Sequence, residues 1–220
     1  MYIIKHGSEI LEITPQICLV KTLKNGKRVT VDEVLSSSSI SPDYDFIYSY
    51  GSDKMYRKDE FETITIIDSN NLSFSQLKEL KLYELSNACE QAIYQGTTVN
   101  DEPFSYTLAD QANISEMFVA VVSGATGYLY HADGKGCREY TAQEIIEIYS
   151  TLSIRKTSLL TYHNLMKQYV NSLLGDTEEN KEIINNIYFG QELPTAEYQE
   201  QYNTLVQKAQ EQLQNILNKE

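Results

Sequence analysis

The sequence predicts an α+β protein, with a small N-terminal antiparallel β unit, a mainly helical domain that contains a β-hairpin, and a C-terminal amphipathic helix. Three observations indicate this fold class. Asn25-Gly26 separates two β-prone runs and is a strong two-residue hairpin signal. Thr141 and Glu144 form a capping box at the start of the longest helical pattern. After Pro194, apolar residues recur at helical spacing.

These changes of pattern predict an N-terminal β-rich domain at residues 1–70, a central α+β domain at 71–176 and a C-terminal helical segment at 177–220. The first domain contains six short β-prone runs, at residues 2–5, 9–13, 17–23, 27–31, 45–50 and 62–67. The serine-rich run at 36–45 contains Pro42 and has the composition of a loop. A linker at 68–71 then separates the β-rich domain from the helices.

Two helices are predicted before the central hairpin. Ser73 and Gln76 form a second capping box, which opens a helix through Gln95. Gly96 marks the end of this helix. Residues 97–108 are expected to form an edge strand or an extended loop. Asp110 is expected to cap a second, mainly apolar helix that ends at Gly124 and packs on the long helix.

Residues 128–174 are predicted to form a hairpin followed by that long helix. Residues 128–130 and 138–140 favour strands, with Asp133-Gly134 as the turn between them. From Thr141 the pattern places nine residues on one helical stripe. They are Ile145, Tyr149, Leu152, Lys156, Leu159, His163, Met166, Val170 and Leu173.

His163 lies among apolar residues on this stripe, so we expect its ring to be buried and hydrogen-bonded, not metal-bound. An unpaired polar ring there would cost about 1–3 kcal/mol. The expected partners are groups around His131 and Asp133 or the pair Asp110-Gln111. Lys156 is expected to reach solvent or to pair with an acid.

The C-terminal segment is predicted to hold a short helix from Thr177 to about Gly190 and a longer one from Pro194-Thr195. The longer helix has a narrow apolar stripe formed by Tyr198, Tyr202, Leu205, Ala209, Leu213 and Ile216. Such a stripe predicts packing on another helix, either in the same domain or in a second copy of the chain. A homo-oligomer is therefore one expected arrangement.

Composition favours some partners and disfavours others. The chain has 18 Lys plus Arg against 31 Asp plus Glu, a formal charge of −13, which repels nucleic acid and anionic membranes. Three widely spaced cysteines do not fit a secreted disulfide framework, and the N-terminus lacks a signal-peptide pattern. We expect synthesis and folding in a reducing cytosol.

No catalytic, cofactor or metal site is predicted. His131, Asp133 and Cys137 share one hairpin, but paired zinc-ligand motifs and a positioned catalytic base are lacking. Ser153 and Lys156 match the serine-xx-lysine spacing of penicillin-recognising acylases, without the other motifs of that class. The turn at 132–136 also lacks the spacing of a phosphate-binding loop. We therefore expect a protein that is not an enzyme.

Five sequence blocks resemble a domain found in proteins encoded beside tail-fibre and baseplate genes of phages and prophages of gut Gram-positive bacteria. The blocks are LSNACEQAI, DQANISEM, YHADGKGCREYTAQEI, TYHNLMKQYVNSL and YFGQELPTAEYQ, and residues 5–29 resemble the β-rich leader that often precedes the domain. The family has no assigned chemistry, so no catalytic residue can be transferred. Its markers here are Asp110, Gln111, Asn113, His131, Asp133, Gly134, Tyr162, His163 and Asn164, which we interpret as structural.

The resemblance implies a structural protein of the phage tail tip, baseplate or fibre region. Such a protein would be assembled in the host cytoplasm, would be located in the virion, and would contact other tail, baseplate or fibre proteins. The alternative is a tail-fibre assembly chaperone that binds the fibre and is not retained in the particle. An enzyme acting on cell-wall material is disfavoured because no suitably placed carboxylate pair or metal-ligand set is evident.

Overall fold

The fold is α+β, as predicted, in a computed structural model that describes residues 2–7, 9–22, 28–31, 45–57, 64–68 and 72–217. The strands are β1 (Tyr2–His6), β2 (Glu9–Thr14), β3 (Ile17–Thr22), β4 (Arg28–Val31), β5 (Phe46–Ser49), β6 (Lys54–Arg57), β7 (Ile64–Asp68), β8 (Thr97–Val99), β9 (Glu102–Phe104), β10 (Gly127–Tyr130) and β11 (Arg138–Thr141). The helices are α1 (Phe74–Tyr94), α2 (Leu108–Val122), α3 (Ala142–Ser172), α4 (Glu178–Asn186) and α5 (Ala196–Leu217). Among these described residues, no helix is both long and apolar enough to span a membrane.

The chain forms two compact units. The first unit contains Met1–Leu80 and Gly175–Asn185, and the second contains Lys81–Leu174 and Asn186–Glu220. Each unit is therefore discontinuous in sequence. The three contiguous segments predicted from composition divide the chain differently.

The first unit contains two antiparallel sheets, with strand orders β2-β1-β7 and β4-β3-β5-β6. Strands β3 and β4 pair with Thr22 opposite Arg28, which confirms the pairing predicted from Asn25-Gly26; residues 23–27 and most of the predicted 36–45 loop lie outside the described residues. Strand β6 was not predicted. Ile4, Ile47 and Ile66 are almost fully buried and belong to one apolar cluster.

Glu12 joins β2 to the second sheet through hydroxyl groups. Its carboxylate accepts hydrogen bonds from Ser49 Oγ at 2.5 Å, Ser52 Oγ at 2.7 Å and Tyr56 Oη at 2.5 Å. Burial raises the pKa of Glu12, but the bonds from Ser49, Tyr56 and Ser52 outweigh it and lower the pKa overall. The acid is therefore held in its charged form by these three hydroxyl groups.

The second unit is built around α3. Helix α2 packs along α3, with the rings of Phe118 and Tyr149 stacked at a centroid distance of 3.9 Å. The core residues Met117, Ile145 and Leu152 are almost completely buried. The first part of the apolar stripe of α3, at Ile145, Tyr149 and Leu152, thus meets α2 as predicted.

The helix starts show which capping predictions hold. Thr141 and Glu144 form the predicted capping box of α3. Ser73 and Gln76 exchange the hydrogen bonds of the second predicted box. The prediction for α2 was wrong: Thr107 caps the helix, and Asp110 is the acidic residue of its capping box. A Thr-xx-Asp sequence satisfies the first-turn N–H groups in the same reciprocal way as Thr-xx-Glu.

Residues 97–104 form a second hairpin where the sequence predicted an edge strand or an extended loop. Strands β8 and β9 pair antiparallel, and Asn100 and Asp101 turn the chain with φ of +49° and +63°. Gly96 precedes the hairpin at φ +60°, and a Cβ built there would lie 1.8 Å from the carbonyl oxygen of Phe104. Only glycine fits this position because both the conformation and the space exclude a side chain.

Helix α5 packs on α3, as its apolar stripe predicted. Tyr198 contacts Tyr169 near one end of α3, with ring centroids 6.3 Å apart. Leu213 lines the same cleft as Ser150, which lies near the other end of α3, so the two helices run antiparallel. The half-buried stripe is Tyr198, Tyr202, Val206, Ala209, Leu213 and Leu217. Leu205 and Ile216, which were predicted on this stripe, are exposed because they lie at its edge.

Candidate functional site: a hairpin network and a cleft

The nine predicted marker residues fall into two groups. Six of them, from Asp110 to Gly134, lie on α2 and on the loop between β10 and β11. The other three, Tyr162, His163 and Asn164, are consecutive residues of α3 and therefore point in different directions.

Ser105 connects the two marker carboxylates of the first group. Its backbone N–H donates to Asp133 Oδ2 at 2.7 Å, and its hydroxyl lies 3.1 Å from both Asp133 Oδ1 and Asp110 Oδ2. Asp110 also accepts from Thr107 N–H at 3.0 Å and Thr107 Oγ1 at 2.6 Å. These carboxylates satisfy backbone and hydroxyl donors, which tie the 131–137 loop to the start of α2.

Gln111 extends the network to α3. It donates from Nε2 to Tyr106 O at 2.9 Å and accepts from Lys156 Nζ at 2.6 Å. Lys156 is half-buried, and the partner shown for its ammonium group is the neutral amide oxygen of Gln111 in place of the predicted acid. Burial, together with the charges of Asp110 and Asp133, raises the pKa of Tyr130 to about 12, although a hydrogen bond to Asn113 opposes the shift. Tyr130 is therefore a neutral hydrogen-bonding group here.

The β10–β11 hairpin is confirmed, and its strands match the predicted runs at 128–130 and 138–140 to within one residue. The strands end at Tyr130 and resume at Arg138, and the turn closes through Lys135 N–H to Ala132 O at 3.0 Å. Gly134 adopts φ +67° within it. The His131 ring stacks on Tyr130 with a centroid distance of 5.3 Å. Cys137 is exposed.

Arg138 fixes this hairpin against its neighbours. Its Nη2 donates to Glu102 at 2.7 Å and to Glu144 at 2.9 Å, and its guanidinium lies 3.5 Å from the centre of the Tyr140 ring. Hydrogen bonds from the backbone of Thr141, from Arg138 and from the Thr141 hydroxyl lower the pKa of Glu144 to about 2. Across the described residues, no group of three His, Cys, Asp or Glu side chains is arranged to hold a metal ion.

The α3 markers have different surroundings. His163 is 8% exposed, so its predicted burial is observed. The predicted hydrogen bond is not observed at Nε2, which is buried and has no partner. The expected partners Asp133 and Asp110 bind Ser105, and Gln111 binds Tyr106 and Lys156. Asn164 is exposed.

Tyr162 leads to a cleft that the sequence did not predict. Its hydroxyl donates to Gln191 O at 2.9 Å and accepts from Gly190 N–H at 3.0 Å. Burial raises the pKa of Tyr162, and the Gly190 bond partly opposes this. The ring contacts Phe189 edge-on, with centroids 5.0 Å apart.

The cleft lies between α3 and α5 and has a volume of about 910 Å³. Its apolar lining comes from Ile154, Leu159, Tyr162, Phe189, Tyr202 and Leu213. Hydroxyl and amide groups complete the wall, at Thr97, Ser150, Thr151, Ser158, Gln210 and Gln214. Among the described residues that line the cleft, Arg155 is the one with a charged side chain. This size and mixed lining are typical of small-molecule sites.

The two residues of the serine-xx-lysine spacing do not act on each other. Ser153 Oγ lies 3.5 Å from Tyr106 Oη, and Lys156 donates to Gln111. The neighbouring residues Ser150 and Arg155 are the ones that line the cleft. An arginine on a helical face between apolar positions was the available sequence signal, but it is too common to identify a site.

Residues 76–186, half of the chain, match the family described as "Domain of unknown function (DUF4376)". The chain belongs to this family. The DUF4376 region contains all nine marker residues and most of the hairpin network. Helix α5, which forms one wall of the cleft, follows the matched region. No curated protein and no solved structure matches the chain.

Proposed function

We propose that this protein is a structural component of a phage tail, in the tail-tip, baseplate or fibre region, and that it acts by binding other tail proteins. The resemblance of its sequence blocks to proteins encoded beside tail genes supports the context. The observation that supports binding is an outward apolar face on α2.

The outward face of α2 is formed by Leu108, Ala112, Val119 and Val122, with the half-buried Ser115 among them, and the spacing of three and four places these residues on one side of the helix. Leu108 is 70% exposed, Val119 59% and Val122 52%. The face is about 20 Å long, given the helical rise per residue. The opposite side of α2 buries Ile114, Met117, Phe118 and Val121 in the core.

A helix with apolar residues on both sides is poorly suited to permanent contact with water on one of them. Aligned exposed apolar residues are typical of protein–protein interfaces. The chain also has a formal charge of −13. A partner surface with an apolar centre and a basic rim would complement both properties.

The composition of purified phage particles tests this function. In particles from a phage that encodes the chain, mass spectrometry should find the protein at a fixed ratio to the major tail protein. Its absence from particles, with a stable complex on purified fibre protein, would instead support the assembly-chaperone alternative. Absence from both would exclude both functions.

A pair of variants tests the α2 face. Val119→Glu should lower incorporation about tenfold, because a charge would be placed in an apolar interface. Ile216→Glu on α5 is the matched control, since Ile216 is 57% exposed and also β-branched. Equal incorporation of both variants and the unmodified chain would show that α2 is not the binding face.

A further inference from the structure

The cleft between α3 and α5 contains polar groups whose hydrogen-bonding capacity is unused. Ser150 Oγ and Arg155 Nε are both buried without a hydrogen-bond partner. Both residues line the cleft. Buried donors and acceptors are satisfied in most folded proteins. Both atoms are closed to water in this conformation, so a ligand would recover their hydrogen bonds once the two side chains turn toward the cleft.

The bonding of the Arg155 guanidinium is unusual for a chain with this many acidic residues. Its Nη2 donates to the backbone carbonyl of Ala92 at 3.3 Å, and no carboxylate in the described part of the chain forms an ion pair with it. The other arginine of the second unit, Arg138, binds two glutamates. A partly buried guanidinium without a counter-ion favours an anion, and its planar geometry suits a carboxylate.

The other lining residues of the cleft favour a ligand that has an apolar body as well as a charge. Tyr162, Phe189 and Tyr202 contribute aromatic surface, and Leu159 and Leu213 contribute aliphatic surface. Burial of ligand carbon on these side chains would supply the larger part of the binding free energy. A small inorganic anion would leave this surface unused.

We propose that the cleft between α3 and α5 binds an amphipathic organic monocarboxylate, with its carboxylate at Arg155 and Ser150 and its apolar body against Tyr162, Tyr202 and Leu213. A single negative charge matches Arg155, the one cationic side chain among the described lining residues. Polyanions are disfavoured because the chain as a whole is strongly acidic. The site contains no residue of α2, so it does not depend on the proposed docking face.

Octanoate and 1-octanol are suitable probes because they have the same chain length and differ in charge. Titration calorimetry should show at least tenfold tighter binding of octanoate. Amide spectra recorded by NMR should place the largest shifts on Tyr162, Tyr202 and Leu213. Equal affinity for both compounds, binding of neither, or shifts confined to other residues would overturn the proposal.

Three variants assign the effect to the cleft. Arg155→Gln should reduce octanoate affinity to the value for 1-octanol. Arg57→Gln makes the same substitution at an exposed position of β6, outside the cleft. It should leave the affinities for octanoate and 1-octanol unchanged. Gln210→Glu adds a competing carboxylate at the cleft on an exposed position of α5 and should weaken octanoate at least tenfold without weakening 1-octanol.

Gln210→Glu remains decisive if Arg155→Gln proves unstable, since Gln210 has no core contact to lose. Melting temperatures measured by circular dichroism identify any folding defect. Octanoate binding that is unaffected by Gln210→Glu, or lost equally in Arg57→Gln, would overturn the assignment to Arg155.

Discussion

The two sides of α3 differ in how completely their polar groups are paired. On the α2 side, Lys156 donates to Gln111, Ser153 contacts Tyr106, and Phe118 stacks on Tyr149. On the α5 side, Ser150 Oγ and Arg155 Nε have no partner, and α5 has no fully buried residue. The comparison indicates that α2 completes the core, whereas α5 covers a surface with unpaired polar groups, where we propose that a ligand binds.

The largest expected difference between the two sides concerns leucine truncation. Leu152→Ala should lower the free energy of unfolding by about 3 kcal/mol, because Leu152 is fully buried and a cavity would remain. Leu213→Ala, the same change on the half-buried side of α5, should cost about 1 kcal/mol. Urea unfolding followed by far-UV circular dichroism measures both. Similar losses would show that α5 is as tightly packed as α2.

A smaller difference is expected for polar contacts. Lys156→Met should cost about 1.5 kcal/mol, because Gln111 would lose its charged hydrogen-bond donor. Gln210→Met, on the cleft side, should change stability by less than about 0.5 kcal/mol, as is usual for exposed positions. Melting temperatures compare the two variants with the unmodified chain. An equal effect would mean that Gln210 is as firmly bonded as Lys156.

The smallest effect is a pH dependence from His163. Burial, with a contribution from Lys167, lowers the pKa of His163 below the ordinary value of 6.5. As the pH falls below 6.5, the unfolded chain therefore takes up a proton before the folded chain does. The contribution of neutral His163 is complete above that pH and is lost as the pH decreases toward the folded pKa.

Leucine variants isolate this titration. His163→Leu should reduce the loss of stability between about pH 7.5 and 5.5, a range that spans the ordinary histidine pKa. His131→Leu, at an exposed loop position, should leave the pH dependence of the unmodified chain in place. Urea midpoints at the two pH values provide the measurement. An unchanged pH dependence in His163→Leu would show that His163 is not the titrating group.

The sequence predicted the features that depend on neighbouring residues. The capping boxes at Ser73 and Thr141 and the β3–β4 pairing follow from interactions within a few positions, so pattern alone was sufficient. The β8–β9 hairpin was missed because Asn100-Asp101 is a weaker turn signal than Asn-Gly. The exposed position of Leu205 was missed because residues at the edge of a helical stripe cannot be assigned without the partner helix.

Most of the candidate site depends on contacts between distant residues, which pattern does not encode. Asp133 reaches Ser105 across 28 positions, and Arg155 reaches Ala92 across 63. The unpaired Nε2 of His163 shows the same limit, because burial could be predicted from spacing whereas the absence of a partner could not. The phage-tail context remains a proposal based on sequence resemblance.

Gly96 also has a consequence for the evolutionary record of this fold. Its positive φ and the adjacent Phe104 carbonyl exclude every other amino acid unless the β8–β9 hairpin moves away. We therefore expect aligned relatives that build this hairpin in the same way to have glycine at the position corresponding to Gly96. In a relative with another residue there, the backbone of the β8–β9 hairpin would have to follow a different path. This one position can therefore distinguish relatives that have the same hairpin geometry from relatives that do not.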